Sequence, residues 1–168
     1  MNGAGLLVDS FGRVREAVHG AVEGLTEEEL AVRVDPDANS IAWLVWHLTR
    51  IQDDHLADAF GREQLWTSEG WAARFGLPFP QRATGYGQTS AQVGAVRAAA
   101  DLLLGYHDAV HSRTEALVGA VTEADLARIV DTAWDPPVTL GVRLVSVIAD
   151  DLQHAGQAAY VRGLVERR

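Results

Sequence analysis

Cysteine is absent from the 168 residues. That excludes disulfides, thiolate metal ligands and a cysteine nucleophile. A metal could be held only by histidine and carboxylate, and thiol chemistry would need a thiol from outside the chain. Lysine is also absent. All 14 basic residues are arginine, which reads as the codon bias of a GC-rich genome. Positive charge is outnumbered by 23 acidic residues, and the net charge of -9 argues against a nucleic-acid backbone as partner. No run of ~20 uncharged apolar residues is present, so no membrane span is expected. The N-terminal M-N-G-A-G-L-L-V-D-S lacks the basic start and long apolar core of a signal peptide, so the expected location is the cytoplasm.

What is there is an ordinary globular composition, 48% hydrophobic and 22% charged, with no linker that would divide it. One domain over 1–168 is expected. Leu7, Phe11, Val14, Val18 and Val22 recur at three- and four-residue spacing, the mark of one buried helical face over about Gly3 to Leu25. A second long helix follows Asn39 or Ser40 and stops at Gly61. A third is predicted from Thr89 or Ser90 to about Ala120, and a fourth from Thr139 to about Glu166. L-T-E-E-E-L (Leu25 to Leu30) is echoed by V-T-E-A-D-L (Val121 to Leu126), and Thr26 with Glu29 fits a capping box. Each half therefore reads long helix, short capped helix, turn, long helix. The fold class is all-α, a four-helix bundle of pseudo-twofold character. Residues 62–88 interrupt it with an aromatic-rich excursion holding Trp66, Trp71, Phe75, Phe79 and Tyr86, with one short helix near Ser68 to Arg74. Such a segment serves as a lid over a site, as an interface or as a satellite hydrophobic cluster.

Polar residues stand on faces that should be apolar. His47 lies between Trp46 and Leu48 in the second helix. Asp150 and His154, four apart in the last helix, share one face. A carboxylate and an imidazole at that spacing form a clamp, and a third imidazole from a neighbouring helix completes a set that leaves positions open for water or substrate. Oxygen and nitrogen donors suit Zn, Ni, Fe(II) and Mn alike. A core histidine bonded to a carbonyl is the plain alternative. Two rival constellations exist. Gln52-x-x-His55 with Asp151-x-x-His154 approaches a di-iron pattern but offers glutamine where glutamate is wanted. His107 and His111 are four apart among polar neighbours and read as a solvated face.

W-H-L in the second helix with H-A-G-Q in the last resembles the DinB-like (YfiT-like) superfamily of metal-dependent enzymes, over nearly the whole chain. The resemblance implies a four-helix bundle, commonly dimeric, and a last-helix motif H-x-x-x-H-x-G-Q whose histidines bind metal with the one on the second helix. His47 and His154 take two of those positions. Asp150 stands where the first histidine of the motif belongs, a departure that lowers the Lewis acidity expected of the metal. Members use low-molecular-weight thiols such as bacillithiol or mycothiol. The arginine-only, alanine-rich composition looks actinobacterial, which points to mycothiol.

The expected function is thus a metal-dependent thiol S-transferase acting on small electrophiles. The metal is held by His47, Asp150 and His154, and the partners are a small-molecule substrate and a second copy of the chain in a homodimer. Asp54 or Asp151 would orient a ligand histidine. Gln157 would bond substrate or an adjoining helix, Trp43 and Trp46 would wall the pocket, and Trp134 would pack the bundle end. Two readings stay open beside it: a non-catalytic small-molecule-binding or stress-response protein, and a metal-dependent hydrolase acting through bound water.

Overall fold

The computed structural model describes residues 2–167. In chain order its elements are α1 (Gly3–Val22), α2 (Glu27–Leu30), α3 (Ile41–Phe60), α4 (Leu65–Ser68), α5 (Trp71–Phe75), α6 (Ser90–Gly94), α7 (Ala100–Gly119), α8 (Glu123–Leu126), β1 (Ile129–Asp131), β2 (Val138–Thr139) and α9 (Leu140–Val165). The long helices are α1, α3, α7 and α9. Each of α1 and α3 packs on both α7 and α9, which makes a four-helix bundle with α1 and α3 on one diagonal.

Local chemistry sets the ends of these helices. The Ser40 hydroxyl accepts from Trp43 N and starts α3, and Gly61, at φ 61°, ends it in the left-handed conformation that glycine adopts without strain. Thr26 with Glu29 and Thr122 with Asp125 each form a capping box, so the echoed hexapeptides fold alike. Inside the bundle, α9 buries Leu144, Val147, Asp151, Ala155, Ala158 and Val161 at helical spacing. α1 adds Phe11, Val14 and Val18 from across the core. Each large aliphatic side chain so buried contributes about 1.5–3 kcal/mol.

The third long helix is shorter than its sequence suggests. Thr89 and Gln92 do form a capping box, but it opens only the one-turn α6. The chain then leaves the helix, Ala99 is extended, and α7 begins at Ala100 without a side-chain cap. Val93, Val96 and Ala98 are all buried. The non-helical segment holding Val96 and Ala98 thus lies against the core. The β1–β2 hairpin, an antiparallel pair, was not foreseen either.

The excursion forms two short helices, α4 and α5, and covers the outer side of α3. Trp66, Trp71 and Phe75 are buried and gather round Tyr106 of α7, with ring centroids 5.2 to 5.8 Å away. This is why every residue from 41 to 50 is buried, where an amphipathic helix would show an exposed face. Two charges from α3 anchor the cover. Asp53 is fully buried and accepts from Leu65 N at 3.0 Å, Trp66 N at 2.8 Å and the Tyr106 hydroxyl at 2.9 Å. It also pairs with Arg113. Arg50, equally buried, donates to Gln64 Oε1 and Ala83 O and lies 4.9 Å from the Trp66 ring centre. So the excursion is a satellite cluster along most of its length. Its last turn, around Thr84 to Gln88, comes back over α3 at His47.

Candidate metal centre

α3 and α9 place His47, Asp150 and His154 together. One ligand atom from each lies within 4.8 Å of the other two, and among the described residues no other such group of histidine, aspartate or glutamate is present. Two helices at ordinary packing distance, with Asp150 and His154 one turn apart on α9, suffice to bring this about.

The hydrogen bonds settle which ring nitrogens are free. His47 Nδ1 lies 2.5 Å from Thr84 O, and His154 Nδ1 lies 2.9 Å from Asp150 O. A carbonyl oxygen only accepts, so both Nδ1 atoms carry a proton, and the neutral ring then offers its lone pair at Nε2. Trp43 stacks on His47 with centroids 4.6 Å apart and planes 17° apart, and its Nε1 donates to Gln88 Oε1 at 2.7 Å. Burial holds the His47 pKa below the ordinary imidazole value, which keeps the ring neutral. Asp150 Oδ2 is buried without a hydrogen-bond partner. A carboxylate oxygen without a hydrogen-bond partner beside two imidazoles whose Nδ1 atoms face carbonyls is a donor set that fits a divalent cation.

Beside this cluster is a cavity of about 350 Å³ lined by His47 and Asp150. Ile51, Val138, Val142 and Val147 make its wall apolar. Tyr86, 92% exposed, and Trp134, 67% exposed, stand at its edge from the excursion and the hairpin. Arg143 closes another side. It donates to His55 Nδ1 at 2.6 Å and to Asp131 Oδ2 at 2.7 Å. Burial first, and Arg143 second, hold the His55 pKa down.

Several expected roles move. The group that orients His47 is a loop carbonyl, Thr84 O, and not Asp54 or Asp151. Asp54 accepts from Gln64 Nε2 at 2.6 Å. Asp151 sits fully buried on the core stripe of α9, and neither of its oxygens has a partner. Trp43 does wall the centre, whereas Trp46 turns into the aromatic cluster with Trp66 and Phe79. Gln157 is exposed and lines a separate cavity with Gln153 and Leu44. Trp134 lines the cavity instead of packing the bundle end, because the hairpin carries it outward.

The rival constellations do not assemble. Gln52 donates to Thr114 and His55 is held by Arg143. His107 is buried, not solvated. α7 turns it towards α3, where its Nδ1 lies 3.1 Å from the Thr49 hydroxyl. The Thr84 carbonyl and the Asp53–Arg50 anchors escaped sequence reasoning. A backbone carbonyl has no residue signature, and Arg50 and Asp53 have the spacing of ordinary solvated polar residues.

Comparison with known proteins bears on the family and the fold. Residues 6–167 match the family model described as mycothiol-S-transferase. A similar solved structure is that of a conserved protein of a locus from Enterococcus faecalis. It is 31% identical with a TM-score of 0.92, over 100% of this chain and 99% of that one. No curated protein matches.

Proposed function

Because the chain belongs to the mycothiol-S-transferase family, of DinB-like fold, we propose that it transfers a mycothiol-type thiol to a small electrophile at a divalent-metal centre. His47 and His154, through Nε2, and Asp150, through Oδ2, are the proposed ligands. The observation that carries this is the buried Asp150 Oδ2, without a hydrogen-bond partner, in a cluster whose ligand atoms lie within 4.8 Å of one another and whose two imidazoles direct Nδ1 to carbonyls.

A divalent cation there, when bound, would favour thiolate over thiol near neutral pH. The residues of the chain do the rest. Thr84 O and Asp150 O hold the two imidazoles in one tautomer and one orientation. Trp43 fixes the His47 plane. Ile51, Val138, Val142 and Val147 keep water from the electrophile's apolar body, and Tyr86 and Trp134 flank its entry. In the transfer the sulfur–carbon bond forms as the electrophile's own bond to its leaving group breaks. The thiol proton passes to solvent and the leaving group departs with the bonding pair.

The reading includes the cytoplasm as its setting and a homodimer as its assembly. Among the described residues no helix is long and apolar enough to cross a membrane. Val145, Leu152 and Tyr160 form an exposed apolar row on α9 that a second copy would cover. Light scattering on the purified chain tests the dimer, which a monomer at micromolar concentration would refute.

The deciding experiment is metal analysis of tag-free protein offered Zn, Ni, Mn or Fe(II), followed by a thiol panel with a chlorodinitrobenzene-type electrophile. Near one metal per chain with thiol-dependent product is expected. Less than ~0.1 metal per chain under every condition would sink the reading.

A further inference from the structure

The cavity at His47 does not end at His55 and Arg143. Both residues also line a second, larger groove of about 880 Å³. The two spaces thus meet at the His55–Arg143 bridge, yet their walls differ in kind. The first is mostly apolar surface, from Ile51, three valines, Tyr86 and Trp134. The second is lined by Asp58, Arg62, Glu63 and Arg82, with the polar side chains of Gln64 and Ser68 between them.

Those four charged side chains are the informative feature. They share one groove and carry both signs, but among the described residues none takes part in an ion pair or a side-chain hydrogen bond. Glu63 engages Arg113 only through its backbone carbonyl. Mixed signs give no net field to gather a phosphate or a carboxylate. An apolar ligand would strip water from all four without replacing it. A ligand rich in hydroxyls satisfies them together, because each hydroxyl donates to a carboxylate and accepts from a guanidinium.

Distance adds a second constraint. His47 and His55 are eight residues apart on α3, about 12 Å along the axis. Ile51 lines the cavity between them. A ligand using both spaces would therefore carry its reactive atom about 12 Å from a polyhydroxyl body, with a slender linker crossing an apolar floor.

We propose that this groove binds the sugar body of a sugar-linked thiol, whose sulfur reaches past the His55–Arg143 bridge to the centre at His47, Asp150 and His154. Asp58 and Glu63 take hydroxyl protons, and Arg62 and Arg82 donate to hydroxyl oxygens. The assignment rests on the thiol-transfer reading above, but it makes a separate claim about where affinity for the carrier resides.

The test uses the metal-loaded full chain and three probes: mycothiol, its thiol-free sugar portion, and N-acetylcysteine, which has the thiol without the sugar. Calorimetry is expected to show both sugar-bearing probes competing for one site. In the double variant Asp58→Asn, Glu63→Gln, mycothiol binding should weaken about tenfold or more, and its KM should rise in step. The KM for N-acetylcysteine should stay within about twofold, with kcat little changed. If the wild-type chain fails to bind the sugar portion, or if the variant binds mycothiol as tightly as wild type, the groove assignment falls. Equal losses for mycothiol and N-acetylcysteine would also overturn it. Sugar-dependent binding that the variant loses, in a protein that transfers neither thiol, would leave the groove standing and remove the transferase reading.

Discussion

His47 on α3 and Thr84 in the last turn of the excursion are joined by a 2.5 Å hydrogen bond in which only the imidazole can donate. The next residue, Gly85, has φ of +102°, and a Cβ placed there would stand 2.6 Å from His47 Nδ1. A side chain at 85 therefore collides with the ring that the loop positions, and the backbone angle disfavours any L residue. Gly85→Ala is expected to weaken metal affinity about 10- to 100-fold while the helical content is retained. Metal titration alongside far-ultraviolet circular dichroism checks this. Unchanged affinity would show that the loop does not set the His47 orientation.

Asp150 offers a sharper test of the centre itself. Its Oδ2 has no hydrogen-bond partner and lies 3.7 Å from His154 Nδ1, so on the proposed reading it is free to take the cation. Asp150→Ala removes one ligand of three and should leave the chain folded with less than ~0.1 metal bound, as should His154→Ala. Asp150→His restores a donor on the same face and should bind metal again. Full metal content and activity in His154→Ala would reject the proposed ligand set.

The parts of this centre differ in how far the sequence discloses them. Asp150 and His154 could be placed on one face because their geometry is internal to one helix. The capping boxes at Thr26 and Thr122 were legible for the same reason, since every contact lies within four residues. Grouping His47 with them came from its place on a buried helix face, and the resemblance carried by W-H-L and H-A-G-Q strengthened it. The rest depended on contacts far apart in the chain. Thr84 reaches His47 across 37 residues, and His107 meets Thr49 across 58. The burial of Arg50 and Asp53 depends on an excursion whose course over α3 no periodicity reveals. Trp134 misled because D-P-P reads as a terminus that packs, whereas the hairpin it belongs to projects beside the cavity.

Asp53 ties that excursion down, so its loss should be felt at the centre. Its carboxylate receives two backbone N–H groups of α4, the Tyr106 hydroxyl and Arg113. Removing it leaves the buried Arg50, 3.9 Å away, without its counter-charge and uncaps α4. Asp53→Ala should cost about 3–5 kcal/mol in chemical denaturation. Because the same segment continues to Thr84, metal affinity should fall as well, although Asp53 touches no proposed ligand. A large loss of stability with unaltered metal affinity would mean that the final turn is held independently of α4.

His107 should make the protein acid-sensitive. Burial, with His111 as the next contribution, lowers its pKa from 6.5 to about 3. Below pH 6.5 the unfolded chain therefore takes up a proton that the native state refuses until near pH 3. More protons are bound in the unfolded state across that window, so native stability falls as pH falls, by up to about 1.4 kcal/mol per pH unit from this group. His107→Gln should flatten the dependence between pH 6 and 4. Urea midpoints measured across that range decide the matter, and an unchanged slope would show that His107 is protonated in the native protein.

Asp151 lies next to Asp150 in sequence but about 100° away around the helix, and that rotation separates their roles. Asp150 faces the centre. Asp151 occupies the core stripe between Val147 and Ala155, fully buried, with both oxygens unpartnered. Burial, and secondarily Asp150, raises its pKa well above the ordinary carboxylate value. A buried carboxyl group without partners costs more than an apolar residue of similar size. Asp151→Val should therefore stabilise the chain, by on the order of 1–3 kcal/mol at pH 7. Because Asp151 makes no hydrogen bond to His47, Asp150 or His154, the variant should keep its full metal content. A higher melting temperature with intact metal binding would establish that only the first aspartate of D-D-L-Q-H serves the centre. Loss of metal would show that the second aspartate supports it after all.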